Sequence, residues 1–121
     1  MKKIVVAEDE PNMLNSIALL LKREGFEVIK AGNGAEALAY ISDTSGHDVA
    51  LLITDVNMPY FSGIEVITTL RKAGIKIPVI VISGFLDREL KDQLETMGVT
   101  AVIDKPFEAE TLINEVRRAL E

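Results

Sequence analysis

Hydrophobic positions along this chain fall into two patterns, short uninterrupted runs and longer stretches in which they recur every three or four residues. The uninterrupted runs are rich in aliphatic and β-branched residues and lack polar alternation, which is typical of strands that helices cover on both faces. Strands are therefore predicted over residues 4–7, 26–31, 49–54, 78–83 and 101–104.

The stretches between these strands carry helical periodicity and residues that end helices. Gly25, Gly74 and Gly98 are each followed by an apolar residue, as at a helix C-terminus with its hydrophobic contact. Helices are predicted over residues 11–24, 35–41, 64–72, 86–97 and 109–120. Five strand-helix alternations predict an α/β, doubly wound parallel sheet with right-handed crossovers, and 121 residues suit one domain spanning 1–121.

The composition of the chain excludes several functions but adds little to the prediction of the fold. The net charge of −6 disfavours direct binding to nucleic acid or an anionic membrane and favours a cation as ligand. The absence of cysteine excludes disulfides and thiolate chemistry. Because the first apolar run is too short for a secretory signal and no run has membrane-spanning length, we expect a cytoplasmic protein.

Chemically active residues stand at the C-terminal ends of four predicted strands. Glu8 and Asp9 follow the first strand and Asp55 follows the third, while Ser83 ends the fourth and Lys105 follows the fifth. The C-terminal ends of parallel strands lie at one edge of a sheet, so these side chains are expected to meet. Crowded carboxylates repel one another unless a cation neutralises them, and Mg²⁺ prefers such oxygen ligands.

In this order and at these positions, four segments resemble the receiver domain of two-component response regulators, chemotaxis proteins among them. The segments are Glu8-Asp9, Asp55-Val56-Asn57-Met58-Pro59, Ser83-Gly84 and Lys105-Pro106-Phe107. The resemblance implies a flavodoxin-like sheet of five parallel strands in the order 2-1-3-4-5 with five helices. It also implies a phosphorylation-activated signalling switch that needs Mg²⁺ or Mn²⁺ and receives its phosphoryl group from a histidine kinase or phosphotransfer protein.

The resemblance assigns the metal ligands residue by residue. Asp9, Asp55 and the backbone carbonyl of Asn57 would bind the ion directly. Glu8 stands where the family more often has aspartate, and it would ligate either directly or through water. The set of hard oxygen donors suits a divalent ion that keeps some of its waters for the incoming phosphoryl group.

The catalytic roles follow from the same resemblance. Asp55 would accept the phosphoryl group, Lys105 would bridge Asp55 and a phosphoryl oxygen, and Ser83 would donate a hydrogen bond to that group. The Lys105-Pro106 bond is expected to be cis. Such a chain catalyses only its own phosphoryl transfer and dephosphorylation, and is not otherwise an enzyme.

The switch is expected to depart from the commoner receiver pattern. Val102 takes the place of a frequent aromatic residue, and Ser83 that of a commoner threonine, so coupling would run through the loop after Ser83. Phe85 would border the phosphoryl group and obstruct water. Output would pass through the last two helices and the fifth strand.

Other interpretations remain open. An aspartyl-nucleophile phosphatase also needs Asp, Ser, Lys and Mg²⁺, and a receiver-like scaffold would need no phosphorylation at all. Gly32-Asn33-Gly34 with Ala37 matches a dinucleotide-binding pattern, but it follows the second strand rather than the first. Glu10 and His47 are interpreted as ordinary solvated residues. Whether the chain acts alone or belongs to a longer regulator or hybrid kinase stays open.

Overall fold

A computed structural model of the protein describes residues 2–43 and 48–121. Within them, five strands alternate with five helices. The strands are β1 (Lys3–Ala7), β2 (Glu27–Ala31), β3 (Leu51–Asp55), β4 (Val79–Ser83) and β5 (Ala101–Asp104). The helices are α1 (Pro11–Arg23), α2 (Gly34–Asp43), α3 (Gly63–Lys72), α4 (Arg88–Thr96) and α5 (Ala109–Ala119).

The strands form one parallel sheet in the order β2-β1-β3-β4-β5, which confirms the predicted flavodoxin-like arrangement. Ala7 pairs with Thr54 across β1 and β3, and Ser83 pairs with Asp104 across β4 and β5. This register brings the C-terminal ends of all these strands to one edge of the sheet.

Two apolar clusters, one on each face of the sheet, explain why the strands lack polar alternation. Neighbouring strand residues point to opposite faces, so Val5 joins the cluster packed under α2, α3 and α4, whereas Ile4 joins the cluster under α1 and α5. Every residue of β3 and β4 is buried. A strand covered on both faces is apolar along most of its length, which is the pattern predicted from the sequence. The buried polar residues Thr54, Asp55 and Ser83 stand at the C-terminal ends of β3 and β4.

The predicted glycine stops are confirmed. Gly25, Gly74 and Gly98 have φ angles of 91°, 79° and 75°, in the left-handed region where a side chain is strained. The apolar residue after the first of them, Phe26, donates its amide to Leu21 O at 3.1 Å and closes the end of α1.

Several element boundaries differ from the prediction by one or two residues. β3 begins at Leu51 and includes Asp55, so the acid is the last strand residue rather than the first loop residue. β2 begins at Glu27. α4 begins at Arg88 rather than at residue 86, because the carboxylate of Asp87 accepts the amide of Leu90 at 2.8 Å and caps the helix there.

Leu86 packs against the core ahead of the helix, whereas Leu90 and Leu94, which continue the same apolar spacing, lie within α4. His47 lies outside the described residues. Across residues 2–43 and 48–121, none of the helices is long and apolar enough to cross a membrane.

Candidate functional site

Three carboxylates meet at the C-terminal edge of the sheet, as the sequence predicted. Glu8 and Asp9 directly follow β1, and Asp55 ends β3, the strand beside it. One carboxylate oxygen from each lies within 4.8 Å of the others. Glu8 is 2% exposed and Asp55 is 7% exposed, whereas Asp9 is exposed to solvent. The cluster thus consists of two buried acids, Glu8 and Asp55, and one acid, Asp9, that faces solvent.

Lys105 joins this cluster from the far end of the chain. Its Nζ atom lies 2.7 Å from Glu8 Oε1 and 2.7 Å from Asp55 Oδ2, so one ammonium group bridges both buried acids. Its backbone amide donates to Ser83 O at 2.9 Å, which fixes the end of β5 beside β4. The Lys105-Pro106 bond is cis, as the resemblance predicted.

The electrostatics of the cluster follow from burial and pairing. Burial raises the pKa of Glu8, and the charge of Asp55 raises it further, although hydrogen bonds from Lys105 and the Glu10 amide act in the opposite direction. Burial alone would lower the pKa of Lys105, but its hydrogen bonds to Asp55 and Glu8 outweigh that effect and raise it. The ammonium therefore stays charged, and this one cation faces a cluster of three carboxyl groups.

The two oxygens of Asp55 have different partners. Oδ2 accepts from Lys105, and Oδ1 accepts the backbone amide of Asn57 at 3.2 Å. The contact with Asn57 holds the start of the β3–α3 loop against the acid. The ligand role of the Asn57 carbonyl stays a prediction.

Ser83 ends β4 and is fully buried. Its Oγ atom accepts the backbone amide of Phe85 at 3.2 Å, so the hydroxyl holds the loop between β4 and α4. Donation from Ser83 to a phosphoryl group stays a prediction. Phe85 itself is 76% exposed beside this serine, and Val102 packs partly buried against the core.

Sequence reasoning missed one residue next to the cluster. Glu10 is exposed, but it is more than a solvated acid, because its carboxylate caps α1 by accepting the amides of Asn12 at 3.2 Å and Met13 at 2.6 Å. Its own amide donates to Glu8 Oε2 at 3.2 Å. An acid directly before Pro11, at a helix start, was the signal that could have identified it.

The donor set fits a hard divalent cation. Carboxylate oxygens supplied by two neighbouring strands converge on one point, without sulfur or imidazole among them, and this is the ligand type that Mg²⁺ prefers. The buried pair Glu8 and Asp55 supplies charge that one lysine does not neutralise.

Comparison with known proteins agrees with the fold and the site. The profile of the response regulator receiver domain matches residues 4–117. The transcriptional regulatory protein FixJ of Rhizobium meliloti (strain 1021) is 36% identical over 117 residues, 96% of this chain and 55% of that protein. The sensory transduction protein RegX3 of Mycolicibacterium smegmatis is 35% identical over 121 residues, 99% of this chain and 51% of that protein.

Solved structures give the same result. A response regulator receiver domain protein from Clostridium thermocellum superposes with a TM-score of 0.91 at 28% identity, covering 99% of this chain and 94% of the other. The chemotaxis protein CheY4 of Vibrio cholerae superposes with a TM-score of 0.90 at 29% identity, covering 99% of each chain.

The chain belongs to the response regulator receiver domain family. It is a receiver domain of the phosphorylation-activated kind that works in two-component signalling, and receiver domains are regulatory modules that work with histidine kinases and output domains. They bind Mg²⁺ at an acidic pocket, and the acidic cluster described above has that character. The chain spans about half the length of the curated relatives it matches.

Proposed function

We propose that Asp55 accepts a phosphoryl group from a phosphohistidine of a histidine kinase or phosphotransfer protein, in a reaction that requires Mg²⁺ or Mn²⁺. The observation that carries the proposal is the position of Asp55 Oδ2, 2.7 Å from the Lys105 ammonium within a cluster of three carboxylates. A nucleophilic carboxylate, a metal-binding acid cluster and a fixed ammonium are the groups that phosphoryl transfer needs.

Asp55 and Lys105 have different roles in the proposed phosphoryl transfer. A carboxylate oxygen of Asp55 bonds to phosphorus while the bond from phosphorus to the histidine nitrogen of the donor breaks, so no separate base is needed. Lys105, released from part of its contact with Asp55, binds a phosphoryl oxygen. When bound, Mg²⁺ supplies positive charge that offsets the oxygens of Asp55 and the phosphoryl group.

Asp9, Asp55, Glu8 and the backbone carbonyl of Asn57 are the proposed metal ligands. Asp9 faces solvent and is the accessible acid of the cluster. Both oxygens of Glu8 already have partners, Lys105 at 2.7 Å and the Glu10 amide at 3.2 Å. Both oxygens of Asp55 also have partners, so these contacts fit Glu8 as a ligand either directly or through water.

The proposed readout starts at Ser83. For its hydroxyl to reach a phosphoryl group, the contact with the Phe85 amide must loosen, and this would move the loop that leads into α4. Output would then pass through α4, β5 and α5, where a cavity of about 550 Å³ lies along β5 and the start of α5. Because residue 102 is valine, an aromatic side-chain flip at that position cannot be part of this change.

We assign residues 1–121 to one receiver domain that acts in the cytoplasm. It would catalyse only its own phosphorylation and dephosphorylation. The net charge of −6 supports partners that are proteins rather than nucleic acid or membrane. Both a chemotaxis-type protein that acts alone and a receiver within a longer regulator fit this proposal.

The test is phosphorylation by a small phosphodonor. Wild type incubated with acetyl phosphate and Mg²⁺ should gain one phosphoryl group by intact mass spectrometry, and Asp55→Asn should gain none. Asp104→Asn is the matched control, because Asp104 also ends a strand at this edge but lies outside the cluster. Normal phosphorylation of Asp55→Asn would overturn the proposal.

Two rival functions predict different results. A phosphatase of the aspartyl-nucleophile class would turn over phosphate monoesters many times, but it needs a second acid two residues after the nucleophile, where this chain has the exposed Asn57. A scaffold that is never phosphorylated would leave wild type unmodified by acetyl phosphate while it folds and binds its partner normally.

A further inference from the structure

The loop between β3 and α3, residues 56–62, carries Asn57 and leads directly out of Asp55. It contains a non-glycine residue with positive φ, Tyr60 at 71°. Such a conformation is costly for a large side chain and persists only where the surroundings hold it. The contacts that hold this loop therefore decide where Asn57 lies relative to Asp55.

One contact comes from a distant part of the chain. Gly34, the first residue of α2, is buried against the far end of the loop. A Cβ atom at residue 34 would lie 2.2 Å from Phe61 O, 2.7 Å from Phe61 Cβ and 2.8 Å from Val66 Cγ2. Two of these three atoms belong to the loop, and Phe61 O is backbone, which a side-chain rotation cannot remove.

The backbone conformation of Gly34 does not require glycine. Among the described glycines, positive φ angles occur at Gly25, Gly74 and Gly98, and not at Gly34. Glycine at residue 34 is therefore explained by space, since only hydrogen in place of a methyl group allows α2 to touch the loop backbone.

A second glycine, Gly63 at the start of α3, contacts the beginning of the loop. A Cβ atom at Gly63 would lie 2.3 Å from Asp55 O, and the Gly63 amide donates to Val56 O at 2.8 Å. The loop is thus fixed at its start by α3 and at Phe61 by α2, with Asn57 between the two contacts.

We propose that Gly34 is a positioning residue for the metal site, acting through the backbone of Phe61 on the loop that carries Asn57. This inference rests on the proposed role of Asn57 as a carbonyl ligand. A methyl group at residue 34 pushes Phe61 away from α2. The loop shifts with Phe61, and the Asn57 carbonyl then moves out of position relative to Asp55 and Asp9.

The test compares Gly34→Ala with two controls. Gly32→Ala makes the same change two residues earlier, where the nearest atom to a new Cβ is Glu36 Oε1 at 3.8 Å. Val116→Ala removes buried side-chain volume from α5, on the opposite face of the sheet, and lowers stability without touching the loop. Urea unfolding, Mg²⁺ affinity by calorimetry and backbone amide NMR shifts of residues 56–62 are measured for all three.

Gly34→Ala is expected to weaken Mg²⁺ binding by about tenfold or more, the size seen when groups that orient metal ligands are lost. Its amide resonances in the loop should move even without metal. Both controls should keep wild-type affinity, because a loss of stability alone does not change the affinity of the folded protein. Wild-type Mg²⁺ affinity in Gly34→Ala would overturn the inference, whether or not the loop resonances move.

The readouts separate this inference from the proposed function. If wild type does not bind Mg²⁺, the metal site itself is wrong, and the positioning role fails with it. If wild type binds and Gly34→Ala binds equally well, only the positioning role is wrong.

A second pair of variants covers the case in which Gly34→Ala does not fold. Phe61→Gly and Phe61→Ala both lose the aromatic ring, but only the glycine frees the loop backbone. Weaker Mg²⁺ binding in Phe61→Gly than in Phe61→Ala supports the inference, and equal affinities contradict it.

Discussion

Two lysines at opposite ends of β1 each contact two carboxylates, yet only one of these clusters has the character of a functional site. Lys3 is the first residue of the strand, and its Nζ lies 2.5 Å from Asp48 Oδ2 and 3.7 Å from Glu27 Oε2. Lys105 lies at the C-terminal end of the strand, where its Nζ contacts Glu8 and Asp55. The two lysine side chains are almost equally exposed, at 19% and 20%.

The partners of the lysines make the difference. The acids at Lys3 have side chains that are 57% and 51% exposed, whereas the side chains of Glu8 and Asp55 at Lys105 are only 3% and 9% exposed. Exposed carboxylates are solvated by water whether or not a lysine is near, so such pairs contribute little to stability. Buried carboxylates have little water around them, so their negative charge must be stabilised by a nearby cation. A divalent metal ion would stabilise that charge more strongly than one ammonium group does. Burial of the acids, rather than of the lysine, distinguishes the functional site.

The largest expected effect comes from removing each lysine in turn. Lys105→Met leaves two buried acids without their ammonium partner, and we expect the free energy of unfolding to fall by about 1–3 kcal/mol at pH 7 without Mg²⁺. Lys3→Met exposes acids that water already solvates, and its change should be clearly smaller. Urea unfolding in the presence of a chelator measures both, and equal changes would contradict the comparison.

The next largest effect is expected in how Mg²⁺ changes stability, which should depend on the cluster at Lys105 and not on the cluster at Lys3. At a Mg²⁺ concentration ten times the dissociation constant, binding to the folded state adds about 1.4 kcal/mol to the free energy of unfolding. Asp9→Asn should remove most of this increment. Asp48→Asn, the matched change in the cluster at Lys3, should leave it intact in the same unfolding titration. An increment that survives in Asp9→Asn would place the metal site elsewhere.

Acidity should weaken metal binding at the buried cluster. Because the pKa of Glu8 is raised, chiefly by burial, its proton competes with Mg²⁺ at higher pH than it would at an ordinary glutamate. Affinity should therefore fall as the pH decreases through that pKa, by at most about tenfold per pH unit for one proton. Calorimetry from pH 7 to pH 5 measures this fall.

Glu8→Gln should flatten the pH profile of Mg²⁺ affinity, since glutamine has no proton to release. Glu27→Gln removes an exposed acid near Lys3 instead and should leave the profile unchanged. A wild-type profile in Glu8→Gln would show that another group is responsible.

The smallest expected effect concerns access of water to the phosphorylated acid. Phe85 stands 76% exposed two residues after Ser83, and a large apolar side chain there would obstruct the attacking water. Phe85→Glu should speed hydrolysis of the purified phosphoprotein. Leu19→Glu, the same change at a half-exposed site on α1, should not. An unchanged hydrolysis rate in Phe85→Glu would contradict this shielding role.

Much of this molecule could be predicted because its local signals agree with one another. Uninterrupted apolar runs and glycine stops identified five strands and five helices, and the parallel topology then placed Glu8, Asp9, Asp55 and Lys105 on one edge. The start of α4 was wrong because a core contact at Leu86 imitates helical spacing, while the cap that starts the helix is Asp87.

The sequence by itself determined which residue types stand at the strand ends, because strand periodicity, turns and caps depend on near neighbours. Only the tertiary structure decided that Lys105 bridges two buried acids, one of them 97 residues away, and that Gly34 touches Phe61. Such contacts depend on how helices settle on the sheet to within a fraction of an ångström. No local pattern carries that information, since it arises from the packing of the whole core.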